Sequence, residues 1–227
     1  MPTVGGIPTP LVLLPGLDGT GELFEPLIAA AGLAVATVPV AYPSDLASYE
    51  ELEPWAQDKL ADDCVILAES FSGPLGARLA KDPRVRALIL CNSFVTPPRW
   101  SQLRHLARAP MFALPPPAWL VRWLLVGNAA PAALVTKVQQ VIRQVPASVL
   151  ARRLREVLSC DERGALAELA KPILYLRGTS DALVPDRSCQ EIRSLCPDAQ
   201  VADLAGPHLL LQVEPAGCWE AILPLLR

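Results

Sequence analysis

Cys64-Val65-Ile66-Leu67-Ala68-Glu69-Ser70-Phe71-Ser72-Gly73-Pro74-Leu75-Gly76 packs a change of secondary structure into a few residues. The apolar run 64–68 lacks polar alternation, as a strand buried on both faces does. The stretch 71–81 that follows has helical spacing. A strand therefore passes through one tight turn directly into a helix, with Ser70 at the corner. Strand and helix crowd at such a corner, so residues two before and two after it must be small. Ala68 and Ser72 meet that demand, and Gly73 and Gly76 allow close packing of helix on sheet.

The same rhythm extends outward in both directions. Short apolar runs at 11–14, 35–40 and 85–91 read as strands, separated by helical stretches at 21–31 and 48–60. Ser48 with Glu51 three residues on forms a capping box at the start of the second of these. Strands resume at 173–177 and 200–204, with helices at 186–195 and 215–226. All-apolar strands alternating with helices predict an α/β fold, a mostly parallel sheet covered by helices on both faces.

Between these halves the pattern breaks. Residues 94–165 show no convincing strand and carry eight prolines, at 97, 98, 110, 115, 116, 117, 131 and 146. Apolar spacing there is helical in pieces, about four helices with proline-marked corners. The segment also differs in charge. It holds ten basic and three acidic residues, a net +7, whereas the rest of the chain has a net −10. The expected organisation is a core of 1–93 and 166–227 with an inserted α-helical lid at 94–165.

The totals narrow the class. With 227 residues the chain suits one domain, or one domain carrying an insertion. Although 52% of residues are hydrophobic, no stretch approaches the roughly 20 apolar residues of a membrane span. The first residues lack the basic start and apolar run of a signal peptide. Six cysteines, with no C-x-x-C pair, read as reduced thiols packed as small hydrophobes. These features predict a cytoplasmic protein with no transmembrane segment. Two histidines, far apart in sequence, offer no zinc spacing. No basic motif with interleaved aromatics suggests nucleic acid. The expectation is no metal and no cofactor.

Four features carry chemistry. Ser70 sits at the strand–helix corner, beside the free N–H groups of a helix start. The loop Leu13-Leu14-Pro15-Gly16-Leu17-Asp18-Gly19-Thr20-Gly21 follows the first strand and lacks the lysine of a phosphate loop. Its backbone, with Leu17 N–H, and the N–H of Phe71 form a candidate oxyanion hole. Asp181 follows the strand at 173–177, and His208 follows the strand at 200–204. Each alone has a plain reading: a capping serine, a glycine turn, a turn-forming aspartate, a solvated histidine. Together they place Ser, Asp and His, in that order, on one rim of a parallel sheet. His105, among Arg104 and Arg108, reads as a solvated helix face. Asp203 is the reserve for the acid.

On these residues the chain resembles the α/β-hydrolase superfamily over essentially its whole length. It looks like a compact member, starting almost at the strand before the oxyanion loop. The resemblance implies Ser70 as nucleophile, His208 as general base and acid, Asp181 as orienting acid, and Leu17 and Phe71 as oxyanion donors. Two departures weaken subfamily assignment: an Ala-Glu-Ser-Phe-Ser elbow, and Leu14-Pro15 where many relatives have His-Gly. The expected activity is cleavage of short or medium acyl esters through an acyl-enzyme. A second reading is a thioesterase or carrier-linked ester hydrolase, similar to the pimeloyl-carrier methyl esterases. A third is a non-catalytic ligand-binding protein that keeps the fold.

In the lid, Trp100, Met111, Phe112, Trp119 and Trp123 either line an acyl pocket over Ser70 or pack the lid against itself. The basic charge is a solvated surface, a dock for an anionic carrier (acyl carrier protein or coenzyme A), or a contact with anionic lipid. Arg152, Arg153 and Arg155 are the charges whose reversal separates these.

Overall fold

The computed structural model describes residues 9–99 and 101–227, with the backbone alone at Leu103. Six strands form one sheet: β1 Leu11–Leu14, β2 Thr37–Pro39, β3 Cys64–Glu69, β4 Val85–Cys91, β5 Ile173–Gly178 and β6 Gln200–Leu204. Their order is β2-β1-β3-β4-β5-β6, and every neighbouring pair is parallel. The chain runs from β1 outward to β2, then crosses back to lay β3 on the other side of β1. That reversal opens a crevice at the carboxyl ends of β1 and β3, where ligands bind in open α/β sheets. The loop after β1 and the turn after β3 flank it.

Strand alternation sorts the apolar residues between two faces. Val12, Leu14, Ile66, Ala68, Leu88, Leu90 and Tyr175 meet helical residues such as Leu52, Leu75 and Ile192. Leu11, Leu13, Val65, Leu67, Ile89 and Leu176 meet Phe24, Leu27, Leu210, Cys218 and Ile222 on the other side. Burial of each such side chain contributes about 1.5–3 kcal/mol. The central strands are therefore the most firmly held part of the molecule. The edges differ: β2 and β6 are half exposed. The stretch expected as a strand at 35–40 is a strand only at Thr37–Pro39, where it has β1 alone to pair with.

The helix expected at 186–195 forms as Asp186–Leu195, and the other expected helices form with shorter bounds. Glu25–Ala31 follows a 3-10 turn, and Tyr49–Gln57 carries the Ser48–Glu51 capping box. Glu51 accepts from the backbone N–H groups of Ser48 and Ala47, each at 3.0 Å, and from Arg152. These bonds lower its carboxyl to about 2. The cysteines are all free.

Among the described residues, 94–165 forms no strand. It contains 3-10 turns at Ser101–Leu106 and Ala109–Phe112, a short helix Ala118–Val121 running into a π turn, and helices Ala132–Gln144, Ala147–Val157 and Arg163–Ala167. Val121, Val126, Val135, Val138 and Val141 pack against Leu23 and Leu209, which stand on the rim of the sheet. The backbone N–H of Leu209 donates to the Leu125 carbonyl at 2.8 Å. Residues 94–165 are thus fastened to the segments that follow β1 and β6. No described helix is long and apolar enough to cross a membrane.

Candidate active site

At the end of β3 the chain turns through Ser70–Ser72 in one 3-10 turn before the helix Gly73–Leu79. Ser70 has φ of 48°, a left-handed conformation that costs a non-glycine residue energy and is kept where surroundings enforce it. The surroundings here are tight. A Cβ on Gly73 would fall 1.9 Å from Ser93 Oγ, and one on Gly76 would fall 2.7 Å from Ala68 Cβ. The small residues that mark this corner in the sequence have a steric cause.

Ser70 Oγ lies 2.8 Å from His208 Nε2, and His208 Nδ1 lies 2.9 Å from Asp181 Oδ2. A carboxylate only accepts, so this contact assigns the proton to Nδ1 and leaves the Nε2 lone pair facing the serine hydroxyl. Asp181 Oδ1 accepts in turn from the backbone N–H groups of Leu183 and Val184, at 2.8 and 3.0 Å. The carboxylate is therefore pinned in rotation as well as position. Burial works against a charge on the His208 ring. The charge and hydrogen bond of Asp181, with the charge of Glu69, outweigh it and raise the imidazole above its usual range.

Three residues distant in sequence thus converge because each follows the carboxyl end of a strand, β3, β5 or β6, of one parallel sheet. The competitors go elsewhere. Asp203 is paired to Arg177 through two bonds of 2.6 and 2.8 Å. His105 is exposed and contacts Arg104.

Two supporting groups stand here: Asn92 with Ser93, which the sequence marks only as polar residues after a strand, and Glu69, whose place at the corner reads as either a tuning or a structural position. Asn92 and Ser93 directly follow β4. Asn92 Nδ2 donates to the carbonyls of Pro207 and His208 at 2.9 and 2.8 Å, and its Oδ1 accepts from Gly178 N–H at 2.7 Å. One amide therefore ties the histidine loop to the ends of β4 and β5. Ser93 Oγ donates to the Ser70 carbonyl at 2.5 Å, while Tyr175 Oη donates to the Ser93 carbonyl at 2.8 Å. Glu69 is the second group. It is 2% exposed and accepts from Gln212 Nε2 at 3.0 Å. Burial pushes its carboxyl up to about 7, against the opposing effect of the Gln212 bond.

Leu17 lies in the loop that follows β1, and Phe71 is the first residue after Ser70. Ser72 joins these two pieces. Its hydroxyl donates to the Pro15 carbonyl and accepts from Tyr42 Oη at 2.6 Å. Ser72 was expected as small packing; it is also a hydrogen-bonding link, since a buried hydroxyl must find partners. Tyr49 Oη donates to the Phe71 carbonyl at 2.8 Å, and the two rings stack with centroids 4.9 Å apart.

In the inserted segment, Trp119 is 66% exposed, Trp123 64% and Met111 55%, so self-packing is not their fate. Phe112 is half-buried and lines a groove with Ile142 and Val145. Trp100 lies outside the described residues. Among the three arginines proposed as carrier-facing, Arg155 is exposed and Arg152 bonds Glu51 at 2.7 Å. Arg153 corrects the expectation: it is fully buried, because its guanidinium is used inside the protein.

No family model and no curated protein matches the sequence. Solved structures do match the fold. An esterase from Exiguobacterium antarcticum superposes with a TM-score of 0.81 at 13% identity, covering 98% of this chain and 93% of its own. An enol-lactonase from Burkholderia xenovorans gives 0.80 at 17% identity, with coverage of 97% and 92%. A thermophilic esterase from Thermogutta terrifontis gives 0.73 at 19% identity, with coverage of 98% and 90%. The chain has the α/β-hydrolase fold.

Proposed function

We propose that this chain is a serine hydrolase that cleaves carboxylic esters of short or medium acyl chains through an acyl-enzyme. The observation that carries the reading is the hydrogen-bonded series Ser70–His208–Asp181, with the serine on a strained turn. His208 Nε2 takes the hydroxyl proton as Ser70 Oγ attacks the ester carbonyl. Asp181 keeps the ring in the required tautomer and stabilises the imidazolium. The N–H groups of Leu17 and Phe71 receive the developing oxyanion, where a single fixed donor is worth roughly 3 kcal/mol. His208 then protonates the leaving alcohol, and water activated by the same ring releases the acid. The inserted segment serves as a lid, with Met111, Phe112, Trp119 and Trp123 offering apolar surface to the acyl group.

The fold neighbours, two of them called esterases and one a lactonase, support this chemistry. Labelling with a fluorophosphonate, followed by peptide mass analysis, tests it. The expected result is one adduct on Ser70, hydrolysis of p-nitrophenyl esters, and loss of both in Ser70→Ala. Folded protein that takes no label and hydrolyses no ester between pH 6 and 9 overturns the reading in favour of a ligand-binding protein.

A second reading is favoured by one observation. Residues 94–155 contain no acid, and Arg104, Arg108, Arg143 and Arg155 are exposed along them. Such a surface suits an anionic carrier of the acyl group. Acyl-coenzyme A or acyl carrier protein substrates should then outrun simple esters. Charge reversal at Arg104, Arg108 and Arg155 should remove that advantage and spare p-nitrophenyl ester turnover.

A further inference from the structure

Arg153 stands on the helix Ala147–Val157 of the inserted segment and is 1% exposed. A buried cation ordinarily needs an acid beside it. Among the described residues no carboxylate forms an ion pair with Arg153. Its partners are four backbone carbonyls instead. One terminal nitrogen donates to Leu17 O at 3.1 Å and Asp18 O at 2.7 Å. The other donates to Pro43 O at 3.3 Å and Leu46 O at 3.0 Å. The guanidinium also faces the Tyr42 ring at 5.6 Å and the Phe71 ring at 6.0 Å. Arginine suits this role because its planar fork reaches several acceptors at once and remains charged when buried.

The loop has been shaped around that side chain. Gly19 has φ of 71°, and a Cβ there would stand 2.2 Å from the guanidinium. Gly19 O accepts from Tyr42 N–H at 2.7 Å. The far end of the loop is held at Pro15 by Ser72. The residues between, Gly16 to Asp18, are therefore fixed from one side by the strand–helix corner and from the other by the insertion.

We propose that Arg153 is a positioning residue for the oxyanion hole: from residues 94–165 it holds Leu17, through the carbonyl of the peptide that follows its N–H, relative to Phe71, making this segment part of the catalytic framework. Arg153 touches both residues whose N–H groups are assigned to the oxyanion, through the carbonyl of one and the ring of the other. It reaches no reacting atom. The role follows from geometry, since oxyanion donors must be held within tenths of an ångström before the reaction. The proposal rests on Ser70 being the nucleophile.

The experiment compares full-length wild type, Arg153→Met and Arg153→Lys. It measures kcat and KM on a p-nitrophenyl ester, inhibition by an alkyl trifluoromethyl ketone, fluorophosphonate labelling and thermal unfolding. The ketone forms a tetrahedral adduct that uses the hole, whereas KM reports ground-state binding. Arg153→Met should lower kcat about 100-fold, with KM within about threefold of wild type and ketone affinity lost by a similar factor. That size follows from the 10²–10³-fold loss on deleting one donor outright. Arg153→Lys should lose about 10-fold, because one ammonium cannot serve four carbonyls in two loops. The acid limb of the pH profile should stay where it is, since His208 is untouched.

If wild type takes no label at Ser70, the parent reading fails, not this one specifically. With wild type labelled and active, three results overturn the proposal. These are folded variants that keep kcat and ketone affinity within twofold, a rise in KM at constant kcat, or an Arg153→Lys protein equal to wild type while Arg153→Met fails to fold.

Discussion

The sheet rim and the inserted segment meet at one place and are built on opposite rules. At the rim, charged and polar side chains are buried, and each has a partner: Asp181 in His208 and two N–H groups, Asn92 in the histidine loop and the end of β5, Glu69 in Gln212. In residues 94–165, large apolar side chains are exposed and a guanidinium is buried. The rim binds its charges because strands fix backbone ends at known spacing. The insertion has no such lattice. Its helices are held where Val121, Val135, Val138 and Val141 meet Leu23 and Leu209. The difference teaches that the two regions are joined by side chains that cross between them, among them Arg153 to four carbonyls and Arg152 to Glu51.

The strongest way to break this contrast is at the rim. Asp181→Asn should lower kcat by about 10⁴, with secondary structure unchanged by circular dichroism; full activity would place the acid elsewhere, and Asp203 is already bonded to Arg177. Next in size is the buried sheet. Leu67→Ala, fully buried in β3, should cost about 2–5 kcal/mol in urea unfolding. A loss below 1 kcal/mol would show the central strands to be no firmer than the insertion.

Glu69 sharpens the contrast through pH. Its carboxyl is raised from 4.5 to about 7 in the folded protein. Between those values the native state binds the extra proton, so stability falls as pH rises across the window. The full penalty, on the order of 3 kcal/mol, is present above about 7 and absent below 4.5. His208, also raised, adds a fall of the same sign above its ordinary 6.5. Urea titrations at pH 5 and pH 8 should therefore show a smaller drop for Glu69→Gln than for wild type. Equal drops would mean that Glu69 escapes burial. Losing that negative charge should also move the acid limb of kcat/KM slightly downward in pH, because Glu69 helps raise His208.

The smallest effect is expected on the insertion. Trp119→Ala and Trp123→Ala should each change stability by less than about 0.5 kcal/mol, as exposed substitutions do. A loss of several kcal/mol by thermal unfolding would show that these rings pack against the rest of the protein.

Much of the rim was legible beforehand, and particular residues show why. The run 64–68 is apolar without alternation, Ser70 follows it, and glycines follow Ser70; each is a local steric or solvation demand, so each leaves a mark in sequence. Asp181 and His208 were legible because they sit just past strands. Asn92 was not, since an amide at a strand end looks the same whether it is solvated or buried; Glu69, at the variable position of the corner, reads equally as a tuning or a structural group until its burial is known. Ser72 was read as small and proved to be a link as well. Arg153 was read as surface charge among Arg152 and Arg155, because a helix period says which residues share a face but not which face turns inward.

The amino-acid order alone determined the alternation of strand and helix, the break at 94–165 and the rim that gathers Ser70, Asp181 and His208, because those depend on periodicity and chain direction. Tertiary structure decided the partners of buried polar groups and the direction of the insertion. A hydrogen bond between residues more than a hundred positions apart has no local signature, and the free energy of burying one arginine depends on four carbonyls brought in by other loops.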